Sequence, residues 1–222
     1  RGRPRRGGHL AARHVPELPA DRRRHDLEPV VYSGNGYVIE KLEDFSFKIG
    51  PKSFFQTNTA QGERLYQITR EFAELDGTQT VYDLYCGTGS IGIFCSKGAK
   101  KIIGVEAIDA AVQDARENAA LNNIADAEFF SGDVIDVCND AFFAQHGRPD
   151  VIITDPPRAG MDPDTCELTR RFDNILYISC NPETLAANIA QLNDTHRITR
   201  CALFDQFPWT HHMESGVLLT RR

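Results

Sequence analysis

The sequence predicts an α/β fold: a mostly parallel seven-stranded sheet that ends in an antiparallel hairpin and is preceded by a small β-hairpin segment. Three observations lead there. From Thr80 to Cys180, short β-branched and aromatic runs alternate with helical patterns, the signature of βαβ units. The last two strand-like runs, "ITRCALFDQFP" and "GVLLTR", have only Trp209 to Ser215 between them. That is too short for a crossover helix, so these strands pair antiparallel. Ahead of the alternating region, "VVYSGNGYVIEKL" reads as strand, turn and strand.

In chain order, residues 1–28 form a basic, disordered segment rich in Arg, Gly, Pro and His without a period, either a solvated tail or an RNA-binding arm. Residues 29–53 hold the hairpin around Ser33-Gly-Asn-Gly36 and a third strand, "FSFKI". Thr and Asn capping candidates then precede Leu65, Ile68, Phe72 and Leu75 at helical spacing, so a helix runs to about Leu75 and stops at Asp76-Gly77. Strands follow at "TVYDLYC", "KIIGVEA", "AEFFSGD", "DVIITDPP" and "NILYISC". Helices lie between them, most clearly "DAAVQDARENAALNN", and another begins near Pro182.

The chain has 222 residues, 41% hydrophobic and 25% charged, as a soluble globular protein has. No run approaches the ~18 apolar residues of a membrane span, and no signal peptide opens the chain. It begins with Arg1 rather than Met, as a fragment or a processed chain would. Six cysteines without a CxxC pair fit reduced thiols in a cytoplasm. Residues 1–24 carry eight Arg against Glu17 and Asp21; the other 198 residues carry 17 basic and 29 acidic groups, a net charge of -12. So acidic a body argues against nonspecific nucleic-acid binding without excluding a local basic groove.

"YDLYCGTGSIG" places Gly87, Gly89 and Gly92 between a strand and a helix, with Glu106 ending the next strand. Glycines allow close backbone approach to a ligand, the helix N-terminus favours an anion, and the distant acid accepts ribose hydroxyls. This geometry serves a dinucleotide, and a structural turn is the plainest alternative. Asp83, four residues before the first glycine, makes the pattern resemble motif one of the S-adenosylmethionine-dependent methyltransferases. A mostly parallel sheet ending in a hairpin likewise resembles their Rossmann-like fold. Asp133 in "SGD" is either an adenine contact or a helix N-cap.

Asp155-Pro-Pro-Arg158 lies at the carboxyl end of a strand, where open parallel sheets bind ligands. The prolines hold Asp155 rigidly enough to accept from the edge of an extruded base; a rigid turn capped by Asp155 is the bland reading. Carbon-5 of uracil is a poor nucleophile. A thiolate adding to carbon-6 generates an enolate that attacks a methyl group, after which a base removes the carbon-5 proton. Cys180, at a strand end before a helix N-terminus that lowers a thiol pKa, and Glu214, on the loop between the last two strands, meet those needs.

Together, "FFQTN", "DLYCGTGSIGI", "GVE", "DPPRAG", "SCNPET" and "FPWTHHME" resemble, in order, the RNA uracil-C5-methyltransferases acting on 23S ribosomal RNA or tRNA. The likeness runs from Val30 to Leu219. It implies an S-adenosylmethionine-dependent RNA (uracil-5-)-methyltransferase, monomeric and cytoplasmic, with 23S ribosomal RNA ahead of tRNA as substrate. It further implies that Cys180 is the nucleophile and Glu214 the proton acceptor. Gln56, Tyr85, Gly87, Gly89, Ser90, Glu106, Asp133 and Asp155 line the cofactor and base site. Ser90 stands where members commonly carry Asn, and Trp209 where they carry His. Members usually add an N-terminal oligonucleotide-binding barrel and a central domain, so residues 29–53 are expected to be the remnant of the latter and 54–222 the catalytic domain. Amino-group methylation at the Asp155 loop and a noncatalytic RNA-binding module are the alternatives. Phe54 or Phe55 is a candidate for stacking on a base, and Arg158 for a phosphate contact or a pair with Asp162 or Asp164. His211 and His212 have no further ligands at suitable spacing, so no metal is expected.

Overall fold

Neighbouring apolar residues in the parallel strands fall on opposite faces of one sheet, and helices cover both faces. In the computed structural model, which describes residues 29–222, the large sheet is built from β3 (Thr80–Leu84), β4 (Lys101–Glu106), β5 (Ala127–Ser131), β6 (Val151–Thr154), β7 (Asn174–Ser179), β8 (His196–Phe204) and β9 (Glu214–Arg221). Val81, Ile102, Ile153, Leu176 and Leu218 pack on one side. Tyr82, Ile103, Ile152, Ile175 and Leu219 pack on the other. This period of two, apolar at both positions, is what a sheet buried on both faces demands. The first layer receives α1 (Thr59–Ala73), α2 (Ser90–Cys95) and α3 (Asp109–Leu121); the second receives α4 (Val134–Val137), α5 (Asp140–His146), α6 (Pro163–Thr169) and α7 (Pro182–Leu192).

The strand order is β5-β4-β3-β6-β7-β9-β8, parallel from β5 through β7 and antiparallel at β9 and β8. The order reverses between β3 and β6, and a crevice opens there beyond the strand carboxyl ends. Because β9 runs against β7, its first residues arrive at that same edge. Local signals set the helix ends. Asn58 caps α1, and Glu74 closes it in the left-handed region at φ 47°. Asn181 caps α7, with Pro182 in its first turn.

A second, two-stranded sheet pairs β1 (Val38–Leu42) with β2 (Phe45–Ile49). The predicted hairpin around Ser33-Gly-Asn-Gly36 does not form. Gly34 and Gly36 do take positive φ, 81° and 74°, but in a bend whose flanking residues Val30, Val31 and Tyr32 lie exposed. The turn is instead Glu43-Asp44, because pairing "VIEKL" with "FSFKI" buries Leu42, Phe45 and Phe47. Asn118 of α3 and Asn122, one turn on at its C-terminal cap, act as a partner for this strand. Asn118 Oδ1 accepts from Lys48 N–H (2.7 Å) and its Nδ2 donates to Lys48 O (3.3 Å); Asn122 does the same with Ser46 (2.8 and 2.7 Å). The edge of β2 thereby finds hydrogen bonds without another strand.

Residues Ser33–Arg222 form one compact unit. The basic segment expected to be disordered, residues 1–28, lies outside the described residues. Among the described residues no helix is long and apolar enough to cross a membrane.

Candidate active site

The glycine loop leaves β3 through Tyr85, itself at φ 60°. Gly87 (φ 52°) and Gly89 (φ 75°) follow in the left-handed region. A Cβ on Gly89 would come within 2.9 Å of the Phe129 ring and 3.0 Å of Ala115 Cβ, so packing as well as φ requires glycine there. A Cβ on Gly87 would meet nothing within 4 Å, so that backbone faces open space. Gly92 N–H donates to Asp83 Oδ2 (2.8 Å) and Gly87 N–H to Glu106 Oε2 (3.1 Å), while Glu106 Oε1 accepts from Ile108 N–H (2.9 Å). The two acids thus clamp the loop from below and from the side. Burial pushes the Asp83 carboxyl up to about 7, the Gly92 hydrogen bond opposes that shift, and nearby Glu106 adds to it. Asp83 Oδ1 and Thr88 Oγ1 are buried without a partner.

An open glycine cradle with a half-exposed carboxylate at the end of β4 fits an adenosyl cofactor, whose ribose hydroxyls Glu106 can accept. Asp133 stands at the N-cap position of α4, but its side chain makes no capping bond, which leaves the carboxylate free for a ligand. Ser90 is buried, and its hydroxyl pairs with Tyr66 of α1 (2.9 Å). The Tyr85 hydroxyl reaches Thr165 (3.4 Å). Gln56 is buried against α1, where a Cβ on Gly62 would lie 2.9 Å from its Cβ.

Across the switch point the register assembles a second group. Ser179 of β7 pairs with Ser215 of β9, so the next step places Cys180 level with Glu214. Glu214 is the first residue of β9, paired with Phe204, rather than a loop residue as expected. The Asp155–Arg158 turn is pinned to the start of α7, since Arg158 O accepts from Asn181 Nδ2 (3.1 Å) and Thr184 Oγ1 (3.3 Å). The Arg158 guanidinium meets neither Asp162 nor Asp164. Asp162 caps α6 by accepting from Thr165, and Arg158 faces His212 Nδ1 at 3.2 Å.

Four charges act on one another here. Burial pushes Glu214 up to about 7, opposed by Arg158. Burial raises Asp155 well above the usual carboxylate range, and the carboxylates of Glu214 and Asp83 add to it. Burial also raises the Cys180 thiol, helped by Glu214 and Asp155 and opposed by Arg158. The thiol is thus raised rather than lowered as expected from its place before α7: desolvation and two neighbouring acids outweigh the Arg158 cation. Among the described residues no group of three or more His, Cys, Asp and Glu side chains is disposed to hold a metal.

Of the ten predicted site residues, Ser90 opens α2 and the other nine lie on loops or at strand ends. Sequence reasoning missed the tie between the "FFQTN" loop and the loop before Glu214. Asn58 Nδ2 donates to Gln206 O (3.1 Å), and Gln206 Nε2 donates to Asn58 O (3.2 Å). Nothing local marks partners so distant in sequence. The Arg158–His212 contact went unseen for the same reason.

Comparison with known proteins finds relatives of this chain. A tRNA (uracil-5-)-methyltransferase family model matches residues 140–222, and a ribosomal protein L11 methyltransferase model matches residues 66–155. A Bacteroides thetaiotaomicron protein named as an uncharacterized RNA methyltransferase is 46% identical over 89% of this chain and 44% of its own. A Pseudomonas fluorescens tRNA/tmRNA (uracil-C(5))-methyltransferase is 48% identical over 85% of this chain and 56% of its own. The chain thus spans about half the length of the curated relatives it matches. The Pyrococcus abyssi tRNA (uracil-54, C5)-methyltransferase, solved with S-adenosyl-L-homocysteine, superposes with TM-score 0.74 at 34% identity, covering 85% of this chain and 45% of that one. The M. jannaschii tRNA m1G37 methyltransferase, at 14% identity and TM-score 0.66 over 88% of this chain and 60% of that one, shares the fold.

Proposed function

The chain belongs to the RNA uracil-C5-methyltransferase family, and we propose that its site methylates carbon-5 of a uridine in RNA with S-adenosylmethionine as the methyl donor. The observation that carries this reading is the β7–β9 register, which sets a thiol beside a carboxyl that titrates near neutrality. Bound S-adenosylmethionine supplies the electrophilic methyl group. Gly87, Gly89, Glu106 and Asp133 would hold it, with Gln56, Tyr85 and Ser90 around them.

The chain's own residues do the rest. Asp155 binds the polar edge of the extruded uracil. Cys180 Sγ, as thiolate, bonds to carbon-6, and the electron pair of the 5,6 double bond becomes an enolate with its nucleophilic end at carbon-5. Arg158 favours the thiolate. Once carbon-5 is methylated, Glu214 takes its proton, the double bond re-forms, and the carbon-6–sulfur bond breaks to return the thiolate. Glu214 suits this role because a base titrating near the working pH is both available and strong enough.

The named relatives act on tRNA and tmRNA, which favours tRNA over the 23S ribosomal RNA preferred from sequence. Incubation of each RNA with the protein and labelled methyl donor, followed by nucleoside mass spectrometry, tests the proposal. Label on carbon-5 of uridine is the expected product. Label on an exocyclic amine would shift the chemistry to the Asp155 loop alone, and RNA binding without transfer would leave a noncatalytic module.

A further inference from the structure

The loop between β8 and β9 is anchored at its foot and strained at its tip. Gln206, 1% exposed, closes the two-way hydrogen bond with Asn58 at the foot. Thr210 then donates from both its N–H (3.1 Å) and its hydroxyl (2.8 Å) to Phe207 O, and its hydroxyl accepts from His212 N–H (3.1 Å). At the tip of this built turn sits Trp209, the single tryptophan of the chain. Its φ is 73°, a conformation that costs any residue bearing a Cβ. Its indole is fully exposed. An indole on a slack loop would fold onto neighbouring apolar surface; this turn holds it in water instead, five residues before Glu214.

Two further facts point to a ligand. Phe54, two residues before Gln56, is 72% exposed on the loop tied to this one through Asn58 and Gln206. The body of the chain is acidic, with 17 basic against 29 acidic groups after residue 24, so phosphate contacts alone are poor glue for RNA. Extruding a uridine leaves its neighbours without a stacking partner, and sequence-tolerant aromatic stacking is how single strands are gripped where charge is not enough.

We propose that Trp209 is a stacking platform for an unpaired RNA base next to the uridine that enters the site. The inference rests on the functional reading above and adds the contact that secures the flanking strand.

The single indole makes the test direct. Intrinsic fluorescence of the full chain is followed while a stem–loop RNA carrying a tRNA T-arm sequence is added. The RNA is used intact, then with an abasic nucleotide on the 5′ or the 3′ side of the target uridine. The intact RNA quenches the emission, and one of the two abasic RNAs does not. Trp209→Ala weakens RNA binding about tenfold, the scale of one base–aromatic stack; the loss falls on KM rather than kcat, and Trp209→Phe recovers most of it. Quenching that ignores both abasic sites, absence of quenching by any RNA, or unchanged affinity in Trp209→Ala overturns the proposal. Methyl transfer is read separately by label incorporation, so quenching without transfer condemns the functional reading and not the stack.

Discussion

On the β3–β5 side of the sheet edge, acids face backbone N–H groups; on the β6–β9 side they face one another. Glu106 and Asp83 each use one oxygen to hold the glycine loop, and the other oxygen of Glu106 accepts from Ile108 N–H. Glu214 adds to the rise of Asp155, both acids raise the Cys180 thiol, and Arg158 opposes the shifts of Glu214 and Cys180. The first half is preorganised before any ligand arrives. The second stores unfavourable charge that a substrate with hydrogen-bond donors and a displaceable proton relieves. One half binds, and the other reacts.

Breaking the reactive half gives the largest effects. Cys180→Ala is expected to lower methyl transfer by roughly 10^3-fold or more, as loss of a covalent nucleophile does. Because the side chain is only half-buried, the thermal midpoint stays near that of the parent. Full turnover by this variant in a label-transfer assay would sink the mechanism. Glu214→Gln removes the base and not the nucleophile, so turnover falls about 10^2–10^4-fold and an RNA–protein adduct accumulates, visible as a slow band on a denaturing gel. Cleavage of that band by nuclease but persistence in denaturant identifies it.

Acidity sharpens the contrast more gently. Glu214 works ionised and Cys180, whose thiol burial raises, works as thiolate, so turnover at saturating RNA should fall as pH is lowered and steepen to about a hundredfold per pH unit below the Glu214 pKa of about 7. Stability moves the opposite way. Asp83 and Glu214 titrate near 7 in the fold but near 4 when unfolded. The advantage of keeping them neutral is fully present below the unfolded values and is lost as pH rises through the folded ones. The thermal midpoint of the ligand-free protein should therefore fall as pH is raised from about 5 to about 8. Asp83→Asn, which keeps the acceptor for Gly92 N–H, should flatten part of that slope; an unchanged slope would assign the effect to other groups. The smallest change tests neither half. Asn122→Ala should cost about 1–2 kcal/mol in denaturant unfolding, by freeing Ser46 N–H and C=O, and leave methyl transfer intact.

The binding half was the more legible in sequence because its parts are local. A strand, three glycines and an acid at the next strand end are read within one stretch, and two of those glycines, Gly87 and Gly89, take the left-handed φ that glycine meets most easily. Cys180 was legible as a thiol at a strand end before a capped helix. Its environment was not, because the acids that raise it come from β6 and β9, and local sequence carries no sign of their distance. The misplaced hairpin has a related cause. Ser33-Gly-Asn-Gly36 has the turn chemistry, but burial of Phe45 against Phe94 and of Phe47 against Phe55 chose the less typical Glu43-Asp44, and the asparagines that complete that strand's bonds sit far along the chain.

The antiparallel β9 has a consequence for how such a chain can vary. Cys180 and Glu214 are brought level by ladder register, so the helix, strand and loop between them can lengthen or shorten without separating the pair. A slip of β9 by a single residue cannot be tolerated, because it would offer Met213 or Ser215 in place of the carboxyl and turn every inward side chain of the strand outward. Length is free and phase is fixed: insertions belong in the turn between α7 and β8, and none belongs between Glu214 and Leu219.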